Sequence, residues 1–170
     1  GPGGPGQVYR IDLADGAVTP FVTLSAGADQ HDTLRRNLDA DGAEFVGKVG
    51  LGDLEIDDAA GQLFVANLLT HRIHRFSLPD GAELPAFRNG ADAEPWRTNA
   101  RLFGLGWRDG WLYHGVVDSG EFSSTAHTGL AVVYRSRPDG SEMTEVARLD
   151  LGYGRAVDWQ ALPVQRSGDD

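Results

Sequence analysis

The stretch VYRIDLADG at residues 8–16 is written twice more along the chain, as IHRFSLPDG at 73–81 and VVYRSRPDG at 132–140. Each copy runs from alternating apolar and polar residues into a turn that ends in Asp-Gly. Alternation at a period of two places successive side chains on opposite faces of a strand. Asp-Gly supplies the positive backbone angle that a tight hairpin requires. The phrase therefore encodes half of an antiparallel hairpin, used three times. Its alternation predicts Val8, Ile73 and Val133 on one face, with Tyr9, His74 and Tyr134 on the other.

The rest of the chain supports strands rather than helices. QLFVANL (62–68), RIHRFSL (72–78), WLYHGVV (111–117), GLAVVYRS (129–136) and TEVARLDL (144–151) are short and rich in β-branched and aromatic residues. Turn pairs bound them, and no segment holds an apolar period of 3.6 residues over a helical length. The order of these strands recurs. Residues 54–87 read as four strands separated by turns, 102–118 repeat the first half of that unit, and 130–151 repeat the second half. The Asp-Gly pairs at 80–81 and 139–140 lie 59 residues apart, whereas Gly61 and Gly110 lie 49 apart, so an insertion, SGEFSSTAHTG (119–129), falls within the later unit.

Four antiparallel strands recurring every 40 to 50 residues or so are the pattern of β-propeller blades. The expected fold is all-β, a propeller segment with its blades laid out along the whole chain (1–170). Residues 7–24 form a partial blade, 25–50 an inserted loop, 51–90 a blade, 101–151 a second blade, and 154–164 the first strand of another. A β-sandwich is the alternative architecture. About two full blades cannot close a ring, which usually needs four to eight. The expected partner is thus the remainder of the propeller or another protein chain, covering strand edges that would otherwise be exposed. The opening GPGGPG likewise reads as the flexible entry to a segment of something longer.

Charge and composition narrow the partners further. The formal net charge is −10, and Lys48 is the only lysine. A nucleic-acid partner needs clustered Lys and Arg, so none is expected. No apolar run approaches the roughly 20 residues of a membrane helix, so no membrane insertion is expected. With no cysteine, disulfides, thiol nucleophiles and Cys-ligated zinc are excluded.

GQLFVANLLTHRIHRFSLPDG (61–81) resembles the repeat of YVTN-type bacterial β-propellers, whose blades carry a strand ending in "VaN", a short turn and a second strand. The match lies in Phe64-Val65-Ala66-Asn67 followed by Arg72 to Leu78, with Phe64 where the family usually has Tyr. FVGKVGLGDLEIDDAAGQLFVANL (45–68) also resembles blades of large secreted or cell-surface bacterial proteins. The resemblance spans residues 7–24 and 45–151. It implies the propeller fold and an extracellular or cell-surface location, and its motifs are structural rather than catalytic.

Candidate chemistry is sparse. In NLDADGAEF (37–45), Asn37, Asp39 and Asp41 alternate ahead of Gly42, as oxygen ligands do in the first half of a calcium loop. Lys48 stands where the bidentate Glu of that template would be, so Glu44 or Asp32 would have to complete a calcium site; the other reading is an acidic, solvated loop. The long connection 25–48, with His31 and Asp32, and the 119–129 insertion are the expected binding surfaces, since lengthy connections are often functional. His114, Asp118 and Glu121 lie towards one strand end, where a general base could face a channel, with Asp53 a further acidic candidate. Trp107 could line a sugar site or pack between blades. No G-x-S-x-G elbow supports a serine nucleophile. The expected function is a non-catalytic scaffold or interaction module; the alternative is a calcium-assisted propeller hydrolase or lactonase.

Overall fold

The computed structural model describes residues 4–29, 47–120 and 127–155. Ten strands run through them: β1 (Gln7–Ile11), β2 (Val18–Thr23), β3 (Leu51–Asp57), β4 (Gln62–Asn67), β5 (Arg72–Ser77), β6 (Glu83–Arg88), β7 (Ala100–Arg108), β8 (Trp111–Asp118), β9 (His127–Ser136) and β10 (Thr144–Arg155). The one helical element among the described residues is a 3-10 turn at Ala91–Ala93, and no helix there is long and apolar enough to cross a membrane. The strands form three antiparallel sheets: β1-β2, β3-β4-β5-β6 and β7-β8-β9-β10. Both larger sheets are simple meanders in which each strand pairs with the next. The all-β expectation holds, and none of the sheets closes on itself.

The three copies of the opening phrase occupy equivalent places. Each is a strand (β1, β5, β9) that leads into a hairpin turn, with Gly16, Gly81 and Gly140 at φ of 74°, 72° and 84°. The aspartate before each glycine caps the turn. The Oδ1 of Asp15 accepts from Ala17 N at 2.8 Å, and that of Asp139 from Ser141 N at 2.9 Å. Asp80 accepts the Ser77 hydroxyl at 2.5 Å. These bonds favour the ionised carboxylate, and the Asp80 and Asp139 pKa values are lowered by Ser77 and Ser141 respectively.

One detail of the expected alternation is corrected. Ile73 is buried in β5, but its counterpart in β9 is Val132 rather than Val133: Val132 and Tyr134 are buried, while Val133 is 37% exposed. Counted back from the turn glycine, Val8, Ile73 and Val132 stand at the same place before Gly16, Gly81 and Gly140, and Val133 stands one residue closer. A single-residue offset exchanges the faces of a strand.

The sheets stack in layers with β3-β4-β5-β6 in the middle. On one side Leu63, Val65 and Phe76 pack with Leu24 and the half-buried Val8, Phe21 and Val22 of the N-terminal hairpin. On the other side Phe64, Ala66 and Ile73 meet Leu102, Leu112, Val116, Val132 and Tyr134. Trp107 joins this second layer, its ring stacked on Phe64 with centroids 5.6 Å apart and planes 22° apart. β4, covered on both faces, has five buried residues of its six. A strand in that position has no polar side to show, which is why QLFVAN reads as a continuous apolar run.

Candidate functional site

The strand register gathers particular residues at one rim. Leu51 pairs with Asn67, Asn67 with Arg72, and Arg72 with Arg88. In the last sheet Ala100 pairs with Asp118, and Asp118 with Leu130. Asn67 is fully buried and binds in both directions: Oδ1 accepts from Leu69 N and Thr70 N at 3.1 Å each, and Nδ2 donates to Ser25 O at 3.0 Å. Across the neighbouring sheet, Asn99 O accepts both the Ser119 amide at 3.0 Å and its hydroxyl at 2.8 Å. The two connections read as insertions, beginning after Leu24 and after Asp118, therefore leave the sheets from this rim. The short hairpin turns at Gly16, Gly61, Gly81, Gly110 and Gly140 occupy the other.

Next to Asn67 the rim opens into a cleft of about 110 Å³ lined by Thr70, His71, Arg72, Arg88, Asp92 and Arg97, with Asn89 and Ala91 behind them. The turn after β4 contributes Thr70 and His71, and Arg72 and Arg88 come from the paired ends of β5 and β6. The connection to β7 brings Asp92 and Arg97. Arg88 Nη1 donates to Asp92 Oδ1 at 2.8 Å, and Arg72 Nη2 donates to Ala86 O at 2.7 Å. Arg101 Nη1 donates to Leu68 O at 3.2 Å and lies 2.5 Å from His71 Nε2, which must then be the acceptor, because a guanidinium has only donors. None of these cleft residues was singled out from the sequence as a site. The arginines are scattered along the chain, and strand pairing together with the connection to β7 brings them together.

A second polar cluster lies inside. His114, 1% exposed, faces the middle sheet between Leu112 and Val116, and its ring stacks on Tyr134 at 6.0 Å. Neither ring nitrogen has a hydrogen-bond partner of ordinary geometry, and the same holds for Tyr134 Oη, Trp96 Nε1 and Ser136 Oγ. Burial lowers the His114 pKa to about 4, offset in small part by the nearby Asn89 backbone. Burial first, then the charge of Glu94, raises Tyr134 to about 12. This cluster is sealed between layers, beyond the reach of a solvent-borne ligand.

The other expected residues fall as follows. Trp107 packs between sheets. Asp118 ends β8, and its Oδ1 accepts from Gly120 N at 3.1 Å, an Asx turn. Asp53 Oδ2 accepts from Leu105 N at 3.0 Å, tying β3 to β7. His31, Asp32, Asn37, Asp39, Asp41, Glu44 and Glu121 lie outside the described residues. Among the described residues no three His, Asp or Glu side chains come together as a metal-binding set. No protein-family description matches the chain, and no curated protein matches it.

Proposed function

We propose that the chain is a segment of a YVTN-like β-propeller that serves as a non-catalytic scaffold or interaction module in a bacterial secreted or cell-surface protein. The observation that carries this reading is the relation between β3 and β7. Each opens a four-stranded meander, and each departs from regular pairing at the same place, between Leu51 and Leu54 in one and between Leu102 and Leu105 in the other. The two first strands lie side by side: Asp53 bonds to Leu105 N, and a Cβ on Gly52 would come within 3.2 Å of Phe103 O. Four-stranded meanders packed face to face with their first strands adjacent are the arrangement expected of successive blades. The location rests on the resemblance of residues 45–68 alone.

The two flanks of the stack point the same way. Among the described residues the N-terminal sheet has two strands, in the positions of the third and fourth of a blade. Leu54 and Ile56, on the face of β3 turned toward that sheet, are 47% and 46% exposed. At the opposite flank Val133 and Leu149 are 37% and 60% exposed. Apolar flanks on both sides suit a piece that neighbours complete, either further blades or another chain.

Light scattering and apolar-dye binding on the 170-residue chain test this. The expected outcome is concentration-dependent association and dye uptake. Both should fall in the L54E/I56E and V133E/L149E variants, whose melting temperatures should stay close to that of the parent. A chain that is monomeric at every concentration and takes up no dye would overturn the proposal.

A further inference from the structure

The rim cleft sets three guanidinium groups against a single carboxylate, in a chain whose formal charge is −10. Like charges of that number do not collect in one depression without a cost, and elsewhere the chain carries acidic residues in excess. Two of the arginines are braced: Arg72 by Ala86 O and Arg88 by Asp92, each through one terminal nitrogen. A guanidinium has five N–H donors, so both keep donors to spare. Arg97 has no hydrogen bond or ion pair from its side chain among the described residues. At the lip, His71 holds a φ of 56°, a region that residues other than glycine enter at a cost of roughly 1 kcal/mol or more. Glycine would relieve that cost at the end of this turn, and the chain places an imidazole there instead.

We propose that this cleft binds a tetrahedral oxyanion, the phosphoryl or sulfuryl group of a small ligand. Three arginines less one aspartate leave an excess of about two positive charges, matched by a phosphate monoester or sulfate near neutral pH. The donors come from three separate backbone segments, which suits the four oxygens of a tetrahedral anion better than the planar fork a carboxylate offers to one arginine. A cleft of about 110 Å³ has room for such a group. A nucleic-acid strand is disfavoured, since a chain of formal net charge −10 repels a polyanion.

Calorimetric titration of the full chain with inorganic phosphate, sulfate and acetate at constant ionic strength tests the proposal. Saturable binding of phosphate or sulfate is expected, with acetate about tenfold weaker or more, a difference of about 1.4 kcal/mol. Phosphate affinity that rises as pH passes about 7, where inorganic phosphate takes on its second negative charge, would identify the phosphoryl group as the preferred source, and sulfate affinity without that dependence would identify the sulfuryl group. Arg97→Ala, at an exposed position, should weaken binding about tenfold or more with the melting temperature unchanged. Arg108→Ala, whose 81% exposed side chain lies at the other rim, should have no effect. Absence of saturation, equal affinity for acetate, or identical binding by the Arg97 and Arg108 variants would overturn it.

Discussion

At the scale of single residues, the most consequential one is His114. The sequence places it in an alternating strand, WLYHGVVD, between Leu112 and Val116, and that alternation already directs it inward. Its nearness to Asp118 suggested a group at a strand end instead, and the layer that buries it is set by residues far away in sequence. Two unpartnered ring nitrogens in an apolar layer make the neutral form the only tolerable one. With a folded pKa of about 4 against an ordinary 6.5, the unfolded chain takes up the proton first as pH falls. Stability is therefore intact above about pH 6.5 and declines down to about pH 4, by roughly 1.4 kcal/mol per unit at most and about 3 kcal/mol in all. The capped carboxylates Asp80 and Asp139, lowered from 3.8, add their own losses only at more acid pH. Urea unfolding at pH 7, 5.5 and 4.5 should show this decline in the parent and a much flatter profile in His114→Phe. Parallel profiles would mean that the histidine is not the proton acceptor.

At the scale of elements, the hairpins show what a short motif can and cannot encode. Strand, turn and Asp-Gly pair were legible at all three copies because they depend on local backbone preference. The face each side chain takes in β9 was not, because the tyrosine-arginine match draws the alignment one residue away from the one counted back from the Asp-Gly pair. Surroundings differ as well. Gly16 and Gly140 share positive φ, yet a Cβ on Gly16 meets nothing within 4 Å, whereas one on Gly140 would lie 2.5 Å from Phe87 Cγ and 2.6 Å from Phe87 Cβ. Phe87 packs against the core between the two larger sheets and has little room to withdraw. Gly16→Ala should cost about 1 kcal/mol, the backbone penalty alone. Gly140→Ala should cost that plus about 1–3 kcal/mol from overpacking. Chemical denaturation of the two variants measures the difference, and equal losses would show that Phe87 yields freely.

At the scale of the whole molecule, the order of layers decides how the stack opens. The order of strand and turn signals in the sequence anticipated antiparallel strands that pair with their neighbours, whereas the burial of β4 on both faces emerges only when the sheets stack. The cleft stayed hidden, because Arg72, Arg88 and Arg97 meet only through strand pairing and a connection whose path no local rule fixes. The middle sheet alone touches both neighbours, Leu63 facing the N-terminal hairpin and Phe64 facing the last sheet. Truncating one or the other should therefore loosen opposite sides. Leu63→Ala should cost about 2–5 kcal/mol and Phe64→Ala about 3–5 kcal/mol. Hydrogen exchange separates them better than the totals do. In the parent, amides of β4 and β5 should exchange last and those of β1 and β2 early, since a two-stranded ribbon depends on the sheet beneath it. Leu63→Ala should speed exchange in β1 and β2 and leave β8 and β9 near their original rates. Phe64→Ala, which also removes the ring that Trp107 stacks on, should speed exchange in β7, β8 and β9. If both variants accelerate all strands alike, the layers unfold as one cooperative unit, and the middle sheet does not act as a separable support for its two neighbours.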